Sequence, residues 1–103
     1  MRTDDWMALQ HVLNAGVSPE TICPFEHFLY FDDERLAGFA ALALQDVGYQ
    51  TEAGASMHGG WLVIVYAYHR PDASELERRI DYLESIAEAY GGEYDGWGIP
   101  VKR

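Results

Sequence analysis

Apolar side chains recur along this chain in two rhythms, and the switches between them mark out its elements. Between about residues 4 and 15, Trp6, Leu9, Val12 and Leu13 fall at helical spacing, and Asp4 and Asp5 stand where the helix dipole favours acids. Gly16 stops that segment, and Pro19 and Pro24 bracket a loop. Phe25-Glu26-His27-Phe28-Leu29-Tyr30-Phe31 is dense in aromatic residues and predicts a strand. Asp32-Asp33 caps a second helix with an expected core stripe of Leu36, Phe39, Ala40, Ala43 and Val47 and a stop at Gly48. Tyr49 to about Ala53 predicts a weakly apolar edge strand, followed by a turn over Gly54 to Gly60.

Trp61 to Tyr68 is apolar on both faces and predicts a central strand. Beyond Pro71-Asp72, Ser74-Glu75-Leu76-Glu77 has the spacing of a capping box. The helix it opens is expected to reach Tyr90 with Leu76, Ile80, Leu83 and Ala87 inward. Gly91 suits the left-handed residue that ends a helix, Gly92 lets the chain turn away, and a last strand covers about Glu93 to Ile99. An extra helix followed by β-α-β-β-α-β is the order of a ferredoxin-like α+β sandwich, a four-stranded antiparallel sheet with two helices on one face. Residues 1–103 read as a single domain, with 1–16 an accessory N-terminal helix. The other sheet face is left for the first helix or a second subunit to cover.

Composition narrows the function. Seventeen acids against seven Lys and Arg leave a net charge of −10, which repels phosphate backbones and anionic membranes. A partner selected by charge is therefore basic, although the same acids also serve solubility. Met1-Arg2-Thr3-Asp4-Asp5-Trp6 lacks the apolar run of a signal peptide, and no run approaches the ~20 residues that span a bilayer. A cytoplasmic, non-membrane protein is expected. The one cysteine, Cys23, admits no internal disulfide and suits a reducing compartment.

Catalytic chemistry finds little footing. Cys23 and His27 stand four residues apart on an extended segment, roughly 13 Å, too far to share an ion. His11, His58 and His69 follow no metal-ligand spacing, so the histidines read as scattered surface or rim residues. No metal, cofactor or catalytic residue is assigned. A small hydrolase or isomerase built on Cys23 and a histidine is the enzyme alternative, and a Cys23→Ser change separates it from a docking protein. The strand Gly60-Trp61-Leu62-Val63-Ile64-Val65-Tyr66 superficially matches the aromatic strand of RNA-recognition modules. It lacks their leading basic residue and glycine-aromatic interior, and the domain is acidic, so direct nucleic-acid binding is not expected.

The last helix carries the sharper signal. Glu77, Asp81, Glu84 and Glu88 each follow a core position, so they form a continuous acidic stripe beside the buried seam. Such a stripe costs a few tenths of a kcal/mol per like-charged pair, and Glu84 and Glu88 also oppose the helix dipole. Arg78 and Arg79 lie within helical reach of Glu75, and Arg78 of Asp81. Glu93 and Asp95 follow just beyond the helix. Unpaired acid of this kind is either an ordinary solvated face or a docking site for a Lys- and Arg-rich partner. The expected partner-binding set is Glu77, Asp81, Glu84, Glu88, Glu93 and Asp95.

Gly91-Gly92-Glu93-Tyr94-Asp95-Gly96-Trp97 closely resembles the C-terminal motif of the regulator of ribonuclease E activity B family. Looser agreement extends upstream through Phe28-Leu29-Tyr30-Phe31, Gly48-Tyr49 and the helix entering the double glycine. The resemblance implies an acidic ferredoxin-like protein with no catalysis of its own. It would bind the arginine-rich regulatory part of ribonuclease E and restrain messenger RNA decay. Gly98 departs from the pattern, since the family's motif usually has glutamate after the tryptophan. An immunity- or antitoxin-like protein masking another basic nuclease is the alternative within the binding class. Asp95-Gly96 suits a turn or bulge, and Tyr94 and Trp97 suit either packing or partner contact.

Overall fold

The computed structural model describes residues 1–100, so residues 101–103 of the expected domain lie outside the described residues. The chain runs α1 (Thr3–Asn14), β1 (Cys23–Phe31), α2 (Glu34–Asp46), β2 (Gln50–Ala55), β3 (Trp61–His69), α3 (Ala73–Ala89) and β4 (Glu93–Gly98). Its strands pair antiparallel in the order β2-β3-β1-β4. This is the ferredoxin-like α+β arrangement with an added N-terminal helix, with β3 central and β2 at an edge as the patterns predict.

Strand alternation divides the sheet cleanly. Cys23, Phe25, His27, Leu29 and Phe31 of β1, with Val63, Val65, Ala67 and His69 of β3, are buried on the helix side. Their neighbours Glu26, Phe28, Tyr30, Leu62, Ile64 and Tyr66 face the other way and stay part-exposed. The first helix does not cover that second face. Leu9, its one buried residue, joins the core on the helix side, and its N-terminus lies against α3 and β4.

The expected stripe of α2 is corrected. Ala37, Ala40, Ala41 and Leu44 are the buried positions, while Leu36, Phe39 and Val47 are exposed. An alanine face lets the helix backbone approach the sheet closely, and Leu44 fills the remaining space, so the larger residues turn outward. Trp6 of α1 is likewise exposed rather than inward.

The seam of α3 follows the prediction, with Leu76, Ile80, Leu83 and Ala87 all buried. Its cap does not: Asp72 accepts the Glu75 N–H at 3.2 Å and the Ser74 hydroxyl at 2.7 Å, displacing Ser74 from that role. At the other end Gly91, with φ +79°, donates to the Glu88 carbonyl, and Gly92 donates to the Ala87 carbonyl. That pair of bonds is the Schellman stop. Gly92 meets a second demand, because a Cβ there would run into the Phe31 ring and the Tyr30 carbonyl.

Candidate docking surface

With the seam of α3 buried, Glu77, Asp81, Glu84 and Glu88 fall together along one flank of the helix. The start of α1 lies against this flank. The Met1 amino group stands 3.6 Å from Glu77, and Arg2 Nη2 stands 3.4 Å from Glu84. Asp81 and Glu88 are exposed and form no ion pair among the described residues.

β4 then brings a further acid to the same side. Its register against β1 slips between Phe28 and Leu29, so Asp95 sits in a bulge, followed by Gly96 at φ +129°. Asp95, Glu84, Asp4 and Asp5 surround a small cleft that also contains Arg2 and the rings of Tyr94 and Trp97. Three elements thus converge on one acidic hollow with a single base among the described residues. Glu93 is not part of it: it pairs with Tyr30 across the sheet and shares a separate hollow with Asp32. Glu77 belongs to the stripe but is tied to the N-terminal amine.

Asp4 and Asp5 are the residues that sequence reasoning assigned elsewhere. Their local signal is that of acids in a first helical turn, and Asp5 does accept the Arg2 N–H at 3.2 Å. Their second role depends on Glu84 and Asp95, about eighty or more positions away, and no local pattern announces it.

The two aromatic residues of the glycine-rich motif divide the work. Tyr94 is buried, and its hydroxyl lies 2.8 Å from His27 Nδ1, so it anchors β4. Burial, with the charges of Asp5 and Glu84, pushes its phenol well above the usual range, which keeps it a hydrogen-bond donor. Trp97 packs on Phe25 at 5.5 Å between ring centroids yet remains part-exposed on the wall of the acidic cleft. Gly98 pairs directly with Glu26 of β1. A glutamate there would set like charges opposite each other, so glycine removes a repulsion from this sheet.

The expectation of surface histidines is overturned for two of the four. His27 and His69 are fully buried, with their Nε2 atoms 3.3 Å apart, and His69 Nδ1 lies 3.0 Å from the Arg70 carbonyl. One set of tautomers satisfies every partner. His69 Nδ1–H donates to Arg70, His27 Nε2–H donates to His69, and the Tyr94 hydroxyl donates to His27. Burial, the neighbouring His69 and Arg79 lower His27 to about 3. Burial is also the main cause lowering His69, against an opposing hydrogen bond to Arg70. The chain of neutral donors and acceptors locks β1, β3 and β4 together. Side-chain contact between β1 and β3 residues 42 positions apart creates it, which sequence spacing does not reveal.

Among the described residues no group of three or more His, Cys, Asp and Glu side chains is placed to hold a metal ion. The Cys23 thiol is buried and lies 3.4 Å from the Thr21 carbonyl. Among the described residues no helix is long and apolar enough to cross a membrane.

Residues 3–99 match the family described as Regulator of ribonuclease activity B. Proteins with that description from Salmonella typhi, Escherichia coli (strain K12) and Shigella flexneri are each 26% identical to the chain over 102 residues. Each match covers 94% of this chain and 74% of the relative.

Proposed function

The chain belongs to the Regulator of ribonuclease activity B family, and on that premise we propose that it restrains a ribonuclease by docking on it, without catalysis of its own. The contact is electrostatic: the acidic hollow and the adjoining flank of α3 receive a Lys- and Arg-rich segment of the nuclease. One observation carries this reading, the convergence of Asp4, Asp5, Glu84 and Asp95 from α1, α3 and β4 around the exposed edge of Trp97. Acids held together at mutual repulsion, with an aromatic anchor among them, suit a basic partner with its own apolar residues. Asp81 and Glu88 extend the field along α3, and Glu93 flanks it from the far side of β4. The arginine-rich regulatory part of ribonuclease E is the partner that the family resemblance favours, and the cytoplasm is where the two would meet.

The open sheet face is the weaker candidate for the contact with RNA that its topology suggests. Phe28, Tyr30 and Tyr66 lie on it, but so do Glu26, Glu52 and Glu93, which repel phosphate. The test uses purified ribonuclease E and measures both affinity and cleavage of a structured RNA. Changing Asp5, Glu84 and Asp95 together to lysine is expected to weaken binding by about 100-fold at low salt and to release the nuclease. Raising salt toward ~0.5 M should do the same to the unaltered protein. Equal affinity of the variant and the original chain would sink the acidic-docking mechanism.

A further inference from the structure

The opposite flank of α3 borders a second cleft of contrary sign. Arg78, Arg79 and Tyr82 reach it from the helix, Tyr49 from the end of α2, and Tyr66 and Tyr68 from β3. It opens because β2 begins pairing only at Gln50 opposite Tyr66, leaving Ala67 and Tyr68 of β3 uncovered on that side. Its volume is about 1150 Å³, against about 250 Å³ for the acidic hollow. On a chain with 17 acids and 7 Lys and Arg, the lining among the described residues contains two guanidinium groups and no carboxylate, with Glu52 just outside it accepting from the Tyr66 hydroxyl at 2.9 Å.

Both arginines are available. Neither forms an ion pair with a described carboxylate: Glu75, within helical reach of both, is taken by Arg70 at 3.1 Å, and Asp81, within reach of Arg78, makes no ion pair with it. Arg79 is also held in place. Its Nη1 donates to the Tyr49 hydroxyl at 2.6 Å, and its guanidinium carbon lies 5.7 Å from the Tyr49 ring centre. No other side-chain hydrogen bond to the described residues occupies its fork, so four N–H donors remain. Aromatic faces surround this fixed charge. The Tyr49 and Tyr82 rings stack at 26° with centroids 6.4 Å apart, and Tyr68 and Tyr82 are 68% and 38% exposed.

We infer that this cleft binds a nucleotide-sized ligand, its phosphate on Arg78 and Arg79 and its flat ring on the exposed tyrosines. Guanidinium matches phosphate through paired donors, and a pre-positioned fork loses less freedom on binding. A purine or pyrimidine ring gains from stacking on tyrosine. A carboxylate peptide would answer the arginines but leave the ring faces unused. The −10 net charge sets the size, because it opposes each added phosphate of a longer strand. Free nucleotides and the end of an RNA strand carry the same chemistry, and the charge favours the free nucleotide. The site is independent of ribonuclease docking.

Titration of the purified chain with adenosine and uridine monophosphates, followed by nuclear magnetic resonance of the tyrosine rings, tests this. Tyr49, Tyr68 and Tyr82 should shift, with a Kd between about 10 μM and 1 mM. Unphosphorylated nucleoside and inorganic phosphate should each bind at least about tenfold more weakly, as should R78Q/R79Q. Arg78→Gln alone, at an exposed position, keeps the test decisive should the double variant fail to fold, with several-fold weakening expected. An oligoribonucleotide of about ten residues should bind no tighter than the monophosphate. Absence of shifts at ~5 mM nucleotide, or shifts unchanged by Arg78→Gln, would overturn the site. Tighter binding of the oligonucleotide, or of a glutamate-rich peptide, would overturn the assigned ligand.

Discussion

α3 borders two clefts, and they differ in sign although one helix serves both. On one flank Glu77, Asp81, Glu84 and Glu88 meet α1 and β4; on the other Arg78, Arg79 and Tyr82 meet β2 and β3. The buried seam of Leu76, Ile80, Leu83 and Ala87 separates them. At 100° per residue, the positions after each seam residue fall to one side, and residues 78, 79 and 82 fall to the other. Net charge governs how the whole molecule behaves in solution, but the local potential is set by which flank a side chain occupies. A −10 domain can therefore hold a cationic cleft.

Acid should break the comparison most severely, and from beneath the basic flank. His27 and His69 lie there as a buried neutral pair, and the charge of Arg79 contributes to lowering both. In the unfolded chain a histidine takes up its proton near pH 6.5, whereas folded His27 resists until about pH 3. Its contribution is thus complete above about pH 6.5 and is lost as pH falls toward 3. The slope is on the order of 1 kcal/mol per pH unit for this histidine, with His69 adding in the same direction. Urea midpoints between pH 7.5 and 4 measure it. His27→Gln removes the titrating group itself and should flatten the slope; an unchanged slope would show that the acid effect arises elsewhere.

Leu83→Ala should weaken both clefts together. The side chain is wholly buried in the shared seam, and a cavity there costs about 3 kcal/mol, within a range of roughly 2–5. Partner binding and nucleotide binding should both decline only as far as the folded fraction does. By contrast, charge changes at Asp5, Glu84 and Asp95 should leave the tyrosine cleft intact. Loss of nucleotide binding in a folded acid-flank variant would mean that the flanks are coupled.

The two flanks were unequally legible in the sequence. Positions 77, 81, 84 and 88 could be placed beside the α3 seam from helical periodicity alone, because the helix itself fixes them. The hollow needed Asp95, whose direction depends on a bulge, and Asp4 and Asp5, whose local capping explanation was already sufficient. Helical spacing offers Glu75 to both Arg78 and Arg79, and Asp81 to Arg78, but Arg70 claims Glu75 across the loop before the helix. Periodicity places α2 itself but only part of its buried face, where Leu36, Phe39 and Val47 form an apolar row that competes with the alanine row facing the sheet. Hydrophobic size alone chose the wrong row, since close helix–sheet approach favours small side chains. Strand order and helix stops, set by alternation and by Gly48 and Gly91, were recovered.

Tyr94→Phe sharpens the distinction between packing and contact. It removes the hydroxyl that His27 Nδ1 accepts, leaving a buried nitrogen without a donor at a cost of about 1–3 kcal/mol. Thermal or urea unfolding should report that loss, with affinity for the ribonuclease nearly unchanged at temperatures where the variant is folded. A change at Trp97, part-exposed in the hollow, should reverse the balance, so that Trp97→Ala weakens affinity beyond what its folded fraction explains. If both substitutions affect only stability, Trp97 is a packing residue and the hollow lacks its aromatic anchor.

The smallest effect addresses whether the acidic flank is held under tension. Glu88 is exposed, follows Glu84 by one helical turn, and lies near the C-terminal end of α3, where the dipole is negative. It has no ion pair among the described residues. Glu88→Gln keeps the shape and removes the charge, so it should stabilise the fold by about 0.5 kcal/mol at low salt. The gain should fade toward ~0.5 M salt, since an exposed interaction of this kind is screened. The same variant should bind the ribonuclease more weakly, giving one residue opposite effects on stability and affinity. Arg78→Gln on the other flank has no comparable gain to offer, because losing its cation leaves a strongly acidic protein more unbalanced. Urea midpoints for the two variants at low and high salt make the comparison. A Glu88→Gln chain no more stable than the original would mean that solvent already relaxes the stripe, and that its acids meet a partner without stored repulsion to release.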